Sequence, residues 1–299
     1  MYYGGIISIL SSQKEETGKM AEKLGKLHED GKIRIYYRRN GDYIRSVLVP
    51  TEYPERILTA AEALSLSSYS FIHVPLEAKW TEGELALLVD SLGVRGALIT
   101  PLPEANVKKL FKGTSLEVFE VRQEVGEVEV KEEDRGFVYI DRVFVVKGVG
   151  VVVTGFSYTP VKVHDKLKVL PQGKEVEVKS IQVLDEDQQE VGVGVRIGFA
   201  LRNVKEEELK DSFALVKPGA KTLKEFTANI KVYPWSKVEE KKYHMVGNGI
   251  SAVAELKVDG EKATVRLPFD VPASRRFVVI DVNVRQGKPR VVGYLEVGS

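Results

Sequence analysis

Cysteine is absent from this chain of 299 residues, which excludes disulfides, thiolate metal sites and cysteine nucleophiles together. Histidine is scarce too. His28, His73, His164 and His244 are the only four, and they stand too far apart for the spacing of metal ligands. Each reads as a surface or packing residue, and neither a metal nor a cofactor is expected. No run approaches the ~20 uninterrupted apolar residues of a membrane-spanning helix. The opening stretch MYYGGIISILSS carries no basic residue ahead of its apolar part and no small-residue cleavage site. It reads as a first core strand and not as a signal peptide, so the cytoplasm is the expected compartment and a membrane is not an expected partner. A dominant charge is missing as well: 44 Lys+Arg face 43 Asp+Glu, a net charge of +1.

That balance hides an uneven spread. Residues 1–121 hold 15 basic against 16 acidic side chains, residues 122–218 hold 15 against 18, and residues 219–299 hold 14 against 9. A basic final third is what a polyanion-facing surface requires, and equally what a solvated face shows.

The length predicts two or three domains, because single cores stop growing near ~250–300 residues. Over residues 1–121 strand and helix patterns alternate. Strands are expected at 5–10, 32–37, 43–49, 70–74, 95–100 and 116–121, with a hairpin turn at Asn40-Gly41-Asp42. Helices are expected at 15–27, 55–65, 82–92 and 104–111. Such alternation implies an α/β domain with a mostly parallel sheet covered on both faces. The charged stretch 122–135, where Val125, Val128 and Val130 alternate with glutamates, marks a boundary and reads as an edge strand. Beyond it only residues 205–210 carry a helical signal, and strands recur every 8–12 residues, as all-β barrels require. Lys217-Pro218-Gly219 reads as the joint between two barrels. The expected domains are 1–121, 122–218 and 219–299.

The most informative run is residues 141–170, DRVFVVKGVGVVVTGFSYTPVKVHDKLKVL. Its β-branched residues suit buried strands, its glycines mark bulges or close backbone approaches, and Thr159-Pro160, His164-Asp165 and Pro171-Gln172-Gly173 punctuate it as turns. Its wording resembles domain two of the selenocysteine-specific branch of the elongation factor Tu class of translational GTPases. The residues that carry the resemblance are Val145-Lys147-Gly148-Val149-Gly150, Val152-Val153-Thr154-Gly155, Val161-Lys162-Val163 and Asp165-Lys166-Leu167. They continue through Gly173-Lys174, Val178-Lys179-Ser180-Ile181-Gln182 and Gly194-Val195-Arg196-Ile197-Gly198 to Leu201-Arg202. His164 and Ser212 depart from the pattern, lying where the family has glycine. Arg276-Phe277-Val278-Val279-Ile280-Asp281 and Val291-Val292-Gly293-Tyr294 resemble the closing strands of the third domain. The resemblance implies a G-like α/β domain followed by two barrels.

In that family the first domain carries the nucleotide chemistry, and here it reads as degenerate. A P-loop, G-x-x-x-x-G-K-[ST], needs glycines for its backbone path, lysine for phosphate and a hydroxyl for magnesium. Its counterpart is placed at residues 13–20, QKEETGKM, where Gly18 and Lys19 survive but Met20 offers the metal no oxygen and Glu15 and Glu16 bring negative charge. The family's Asp-x-x-Gly falls on Val49-Pro50-Thr51-Glu52. Its guanine-reading Asn/Thr-Lys-x-Asp falls on Thr100-Pro101-Leu102-Pro103, where only Thr100 remains. Charge-assisted hydrogen bonds are worth roughly 1.5–3 kcal/mol each, so losing several weakens binding by at least about 10³-fold. The sequence therefore predicts a pseudo-GTPase, no enzyme, with no catalytic residue.

The resemblance implies tRNA or the ribosome as partner. The candidate RNA contacts are Arg196 and Arg202 in the first barrel, and Lys241, Lys242, Arg275, Arg276, Arg285, Lys288 and Arg290 in the basic final third. Two alternatives stand beside this reading. One is a GTP-binding elongation factor using non-standard nucleotide contacts. The other is a regulatory scaffold that offers the vacated cleft to a protein, with Trp80, Tyr158 and Trp235 as exposed aromatics. Thr154 and Ser157 lack a positioned base, and Asp185-Glu186-Asp187 reads as a solvated turn.

Overall fold

The structure, a computed structural model, describes residues 1–298. Three sheets follow one another along the chain. The first holds β1 (Tyr3–Leu10), β2 (Lys26–Glu29), β3 (Ile33–Asn40), β4 (Tyr43–Pro50), β5 (Tyr69–His73), β6 (Arg95–Ile99) and β7 (Glu120–Arg122). Their order is β2-β3-β4-β1-β5-β6-β7. From β4 to β7 neighbours run parallel, while β2, β3 and β4 form an antiparallel meander at one edge. β1 lies mid-sheet and is buried on both faces. Ile7 and Ile9 meet Met20, Ala21 and Leu24 of helix α1 (Lys14–Leu24). Leu10 joins Ala60, Leu64, Leu85 and Leu88 of helices α2 (Ile57–Ser65) and α3 (Trp80–Leu92) on the other side. Double burial explains why β1 is a continuous apolar run and not an alternating one.

Three local expectations are corrected. The helix expected over 15–27 stops at Leu24, and Leu27 belongs to strand β2, because Gly25 ends the helix. The strand expected over 116–121 is a 3₁₀ turn at Ser115–Val118 followed by the short β7. Residues 122–135 add no edge strand beyond the three residues of β7. From 123 onward they run as an extended strap across the α1 face, where Val130 packs with Ile7 and Ile9 and exchanges two hydrogen bonds with the Tyr43 hydroxyl. Helix α4 (Glu104–Leu110) forms as expected.

The second sheet contains β8 (Phe137–Val146), β9 (Gly150–Tyr158), β11 (Lys166–Leu170), β12 (Glu175–Val183), β13 (Glu186–Gln188), β15 (Arg196–Arg202) and β16 (Ala214–Val216). The short pair β10 (Val161–Lys162) and β14 (Glu190–Val191) sits beside it. The run β11-β16-β8-β9-β15-β12 returns on itself through the β11–β12 pairing, which closes a barrel and removes open edges. Glycine is required at Gly155, where a Cβ would lie 1.6 Å from the Tyr139 carbonyl oxygen, at the register shift between Ile140 and Arg142. The third sheet is a closed six-stranded barrel of β17 (Thr222–Val232), β18 (Lys242–Gly247), β19 (Ile250–Asp259), β20 (Lys262–Pro272), β21 (Arg276–Ile280) and β22 (Val291–Glu296).

The three parts share one core. Ile6, Leu48 and Leu66 of the α/β part pack in the same cluster as Phe137, Phe156 and Tyr158 of the first barrel and Tyr243, Met245 and Phe277 of the second. Polar ties fix this docking. The Gly4 amide donates to the Val193 carbonyl at 2.9 Å, and the Ser251 hydroxyl donates to Glu62 at 2.7 Å. Arg290 of the second barrel wraps the Glu84 carboxylate of α3, donating from its backbone amide (2.8 Å), Nε (3.0 Å) and Nη2 (2.6 Å).

Candidate functional site

Open α/β sheets bind ligands beyond the carboxyl ends of their strands, where the strand order reverses. That point falls beside β1. A cleft of about 470 Å³ opens there, lined by Glu16, Lys19, Met20, His73, Thr100 and Glu124 among others. It brings Lys19 and Thr100 together, as the sequence reading placed them. Gly18 and Lys19 are nevertheless not at a phosphate loop. Only Ser11, Ser12 and Gln13 separate β1 from α1, so Lys19 is the sixth residue of a helix. The stretch QKEETGKM thus lies almost wholly within α1, with only Gln13 in the turn before it. Lys19 Nζ lies 3.3 Å from Glu16 Oε1. Thr100 is buried, its hydroxyl accepting the Leu102 amide at 3.1 Å.

Sequence reasoning missed the hydrogen-bond network that builds this turn. Ser11 Oγ accepts the Gln13 amide at 2.9 Å and lies 2.8 Å from His73 Nδ1. Burial pushes the His73 pKa below its ordinary value, favouring a neutral ring. The Ser12 hydroxyl donates to Glu82, whose other oxygen accepts the Lys79 amide at 2.7 Å and the Thr81 hydroxyl at 2.9 Å, capping α3. The signal available was Ser-Ser directly after the apolar run of β1, a place where hydroxyls satisfy turn amides. Residues 49–52 close a different turn: the Thr51 hydroxyl donates to the Lys32 carbonyl (3.1 Å) and Glu52 accepts from Thr59 (2.8 Å).

The expected RNA contacts divide sharply. Arg196 is 6% exposed, lies within 3.2 Å of Asp141 Oδ1 and 3.7 Å of Glu29, and covers the Phe156 ring, so it is a buried arginine held by two partly exposed carboxylates. Arg290 is enclosed with Glu84. Arg276 pairs with Glu296 at 2.9 Å and caps α3 through the Asp90 carbonyl at 3.1 Å. Lys241 pairs with Asp281 at 2.7 Å, and Arg202 lies 3.7 Å from Glu177. Lys242, Arg275, Arg285 and Lys288 remain exposed, without a carboxylate among the described residues within ion-pair distance.

Of the three aromatics expected to be exposed, Trp235 is, Trp80 is in part and Tyr158 is not. Tyr158 is fully buried, stacked on Phe137 and donating to the Leu66 carbonyl. Trp80 is half-buried under Arg290, and Trp235 is exposed while stacked on Tyr233. Glu186 of the acidic turn joins parts of the molecule, accepting from Tyr2 at 2.6 Å and Arg39 at 3.0 Å. No group of His, Asp or Glu among the described residues is arranged to hold a metal ion.

An α/β part followed by two closed barrels is the architecture of the translation elongation factors, and comparison with solved structures bears this out. The elongation factor SelB of Methanococcus maripaludis, solved with the GTP analogue GPPNHP, superposes with a TM-score of 0.80 over 99% of this chain and 80% of that one, at 18% identity. Within that class the resemblance is to the selenocysteine-specific branch: the selenocysteine-specific elongation factor of Methanocaldococcus jannaschii is 40% identical over 96 residues, 31% of this chain and 20% of that protein. An uncharacterized protein of the same archaeon is 28% identical over 279 residues, 88% of this chain and 89% of its own length. No protein-family model matches the chain.

Proposed function

We propose that this chain is an elongation-factor-like protein that has lost GTP binding and acts as a tRNA- or ribosome-associated binding protein in the cytoplasm. The observation that carries the first half is the three-residue turn between β1 and α1. A phosphate nest needs a longer glycine-rich loop whose amides converge on the ligand. This turn has no glycine, and its Gln13 amide is taken by Ser11. Glu15 and Glu16 occupy the first helical turn, favourable for the helix dipole and repulsive to a phosphate. The second half is supported by the elongation-factor architecture and by Lys242, Arg285 and Lys288, exposed cations of the second barrel with no carboxylate partner among the described residues.

A second reading has one observation in its favour. The cleft beside Lys19 and Thr100 is open and large enough for part of a nucleotide. Calorimetry decides between them. Millimolar GDP or GTP with magnesium gives no heat on the first reading, and saturable heat would restore an ordinary nucleotide-binding factor. The same preparation retains total tRNA on filters at low salt and releases it as salt rises. Failure to retain tRNA at low salt would remove the RNA half of the proposal.

A further inference from the structure

Arginine in this protein is almost always committed. Of the sixteen in the sequence, thirteen hold a carboxylate within 4.0 Å. The exceptions, among the described residues, are Arg95, Arg275 and Arg285. Two of these three, Arg95 and Arg275, flank the same groove, together with the exposed Lys131, which likewise has no carboxylate partner among the described residues.

The groove measures about 740 Å³ and runs between the α/β part, the strap of residues 123–135 and the second barrel. It lies at the amino ends of β5 and β6, the opposite end of the sheet from Lys19 and Thr100. Five cations line it. Arg135 is matched by Glu132 and lies over the Tyr158 ring, and Arg276 is matched by Glu296 while capping α3. Only Glu133 stands in the lining against the remaining three, leaving an excess of two positive charges. The carboxyl end of α3, which would repel an anion, is already answered by Arg276.

We infer that this groove binds a phosphate-bearing ligand through Arg95, Lys131 and Arg275. Three long, solvated cations that line one concave surface without carboxylate partners among the described residues raise the local anion concentration and match phosphate oxygens. No aromatic ring lines the groove, so the recognition falls on phosphate and not on bases. The shared chemistry has two sources, a sugar–phosphate backbone or a free polyphosphate. The site is independent of whether the Lys19 cleft takes nucleotide, and of tRNA binding at the exposed face of the second barrel.

The test uses the full chain with two probes, a fluorescein-labelled single-stranded RNA ten-mer followed by anisotropy, and sodium tripolyphosphate followed by calorimetry. Two triple variants are compared: R95Q/K131Q/R275Q in the groove, and, as a control, K112Q/K224Q/K262Q at three exposed lysines that belong neither to the groove nor to the cations proposed for tRNA. All six side chains are exposed, so the fold is preserved in both. The groove triple is expected to lose at least about tenfold in affinity while the other triple stays near wild type. The salt slope of RNA binding should flatten by about two, near 0.7 per phosphate contact over three contacts. RNA binding without tripolyphosphate binding assigns the site to a backbone, and the reverse assigns it to a free phosphate compound. Absence of binding of either probe to the wild type overturns the inference, as do equal losses in both triples or a loss confined to the control triple.

Discussion

At the scale of single residues, the sequence conveyed chemistry but not commitment. Arg196 and Arg290 look like any other basic residues in a string, yet each is held by carboxylates remote in sequence, Asp141 and Glu29 for the first and Glu84 for the second. Such pairings arise only when separate elements dock, so no local pattern announces them. Backbone demands were more legible. His164, standing where the resembling family has glycine, keeps a left-handed φ of 76°, so the glycine-type turn persists with a strained occupant. Glu62 illustrates a cost hidden from sequence altogether. It sits at the junction of α2 and the second barrel, where burial raises its pKa above the ordinary carboxylate value. The Ser251 hydroxyl and Lys32 pull it back and Glu52 pushes the same way as burial. Because the folded pKa exceeds the unfolded one, the folded state holds the extra proton in the window between them, and stability falls as pH rises through it. Glu62→Gln removes the charge but keeps an acceptor for Ser251. Its urea midpoint should exceed the wild type at pH 8, with the gap closing as pH falls toward the ordinary carboxylate range. A gap that does not change with pH would refute this account.

Elements were read well where one face or both faces are buried, and poorly where tertiary contact replaces pattern. The alternation of strands and helices at the start and the close spacing of strands afterwards gave the α/β part and both barrels. The strap beyond β7 shows the limit. Its Val125, Val128 and Val130 alternate as a strand's would, but no ladder forms, because Val128 and Val130 cover the α1 side of the sheet while Tyr43 satisfies the Val130 backbone. The strap thus replaces a covering helix with a few apolar side chains and one tyrosine. Val130 is its principal anchor at 2% exposure. Val130→Asp would bury an unpaired carboxylate, costing several kcal/mol at roughly the scale of other buried unpaired charges, so the strap should detach. Trypsin is then expected to cut after Lys131 within minutes in the variant while leaving the wild type intact at 33.3 kDa. Equal cleavage of both proteins would show that the strap is not held by this contact.

At the scale of the whole molecule, the three parts are packed on one another. A shared apolar cluster and buried polar ties cross the boundaries between the three parts. One such tie is Arg290 on Glu84, whose side chain is 0% exposed and keeps only the Tyr53 hydroxyl, at 3.0 Å, and the backbone amide of residue 290, at 2.8 Å, if the guanidinium is removed. Breaking a buried pair from one side costs about 3–5 kcal/mol, because the remaining charge is stranded. Arg290→Met is therefore expected to lower the unfolding free energy by roughly that amount, and Arg290→Lys by somewhat less, since an ammonium cannot reproduce the forked contacts. The two tryptophans report on opposite sides of this contact, Trp80 at the start of α3 and Trp235 in the second barrel. In wild-type background, W80F and W235F should show coincident urea transitions, the mark of a single cooperative unit. With Arg290→Met added, the Trp235 transition should move to lower urea than the Trp80 transition, as the second barrel leaves first. Coincident transitions in the methionine variants would mean that the apolar cluster alone holds the three parts together, and that the ion pair adds strength without adding cooperativity.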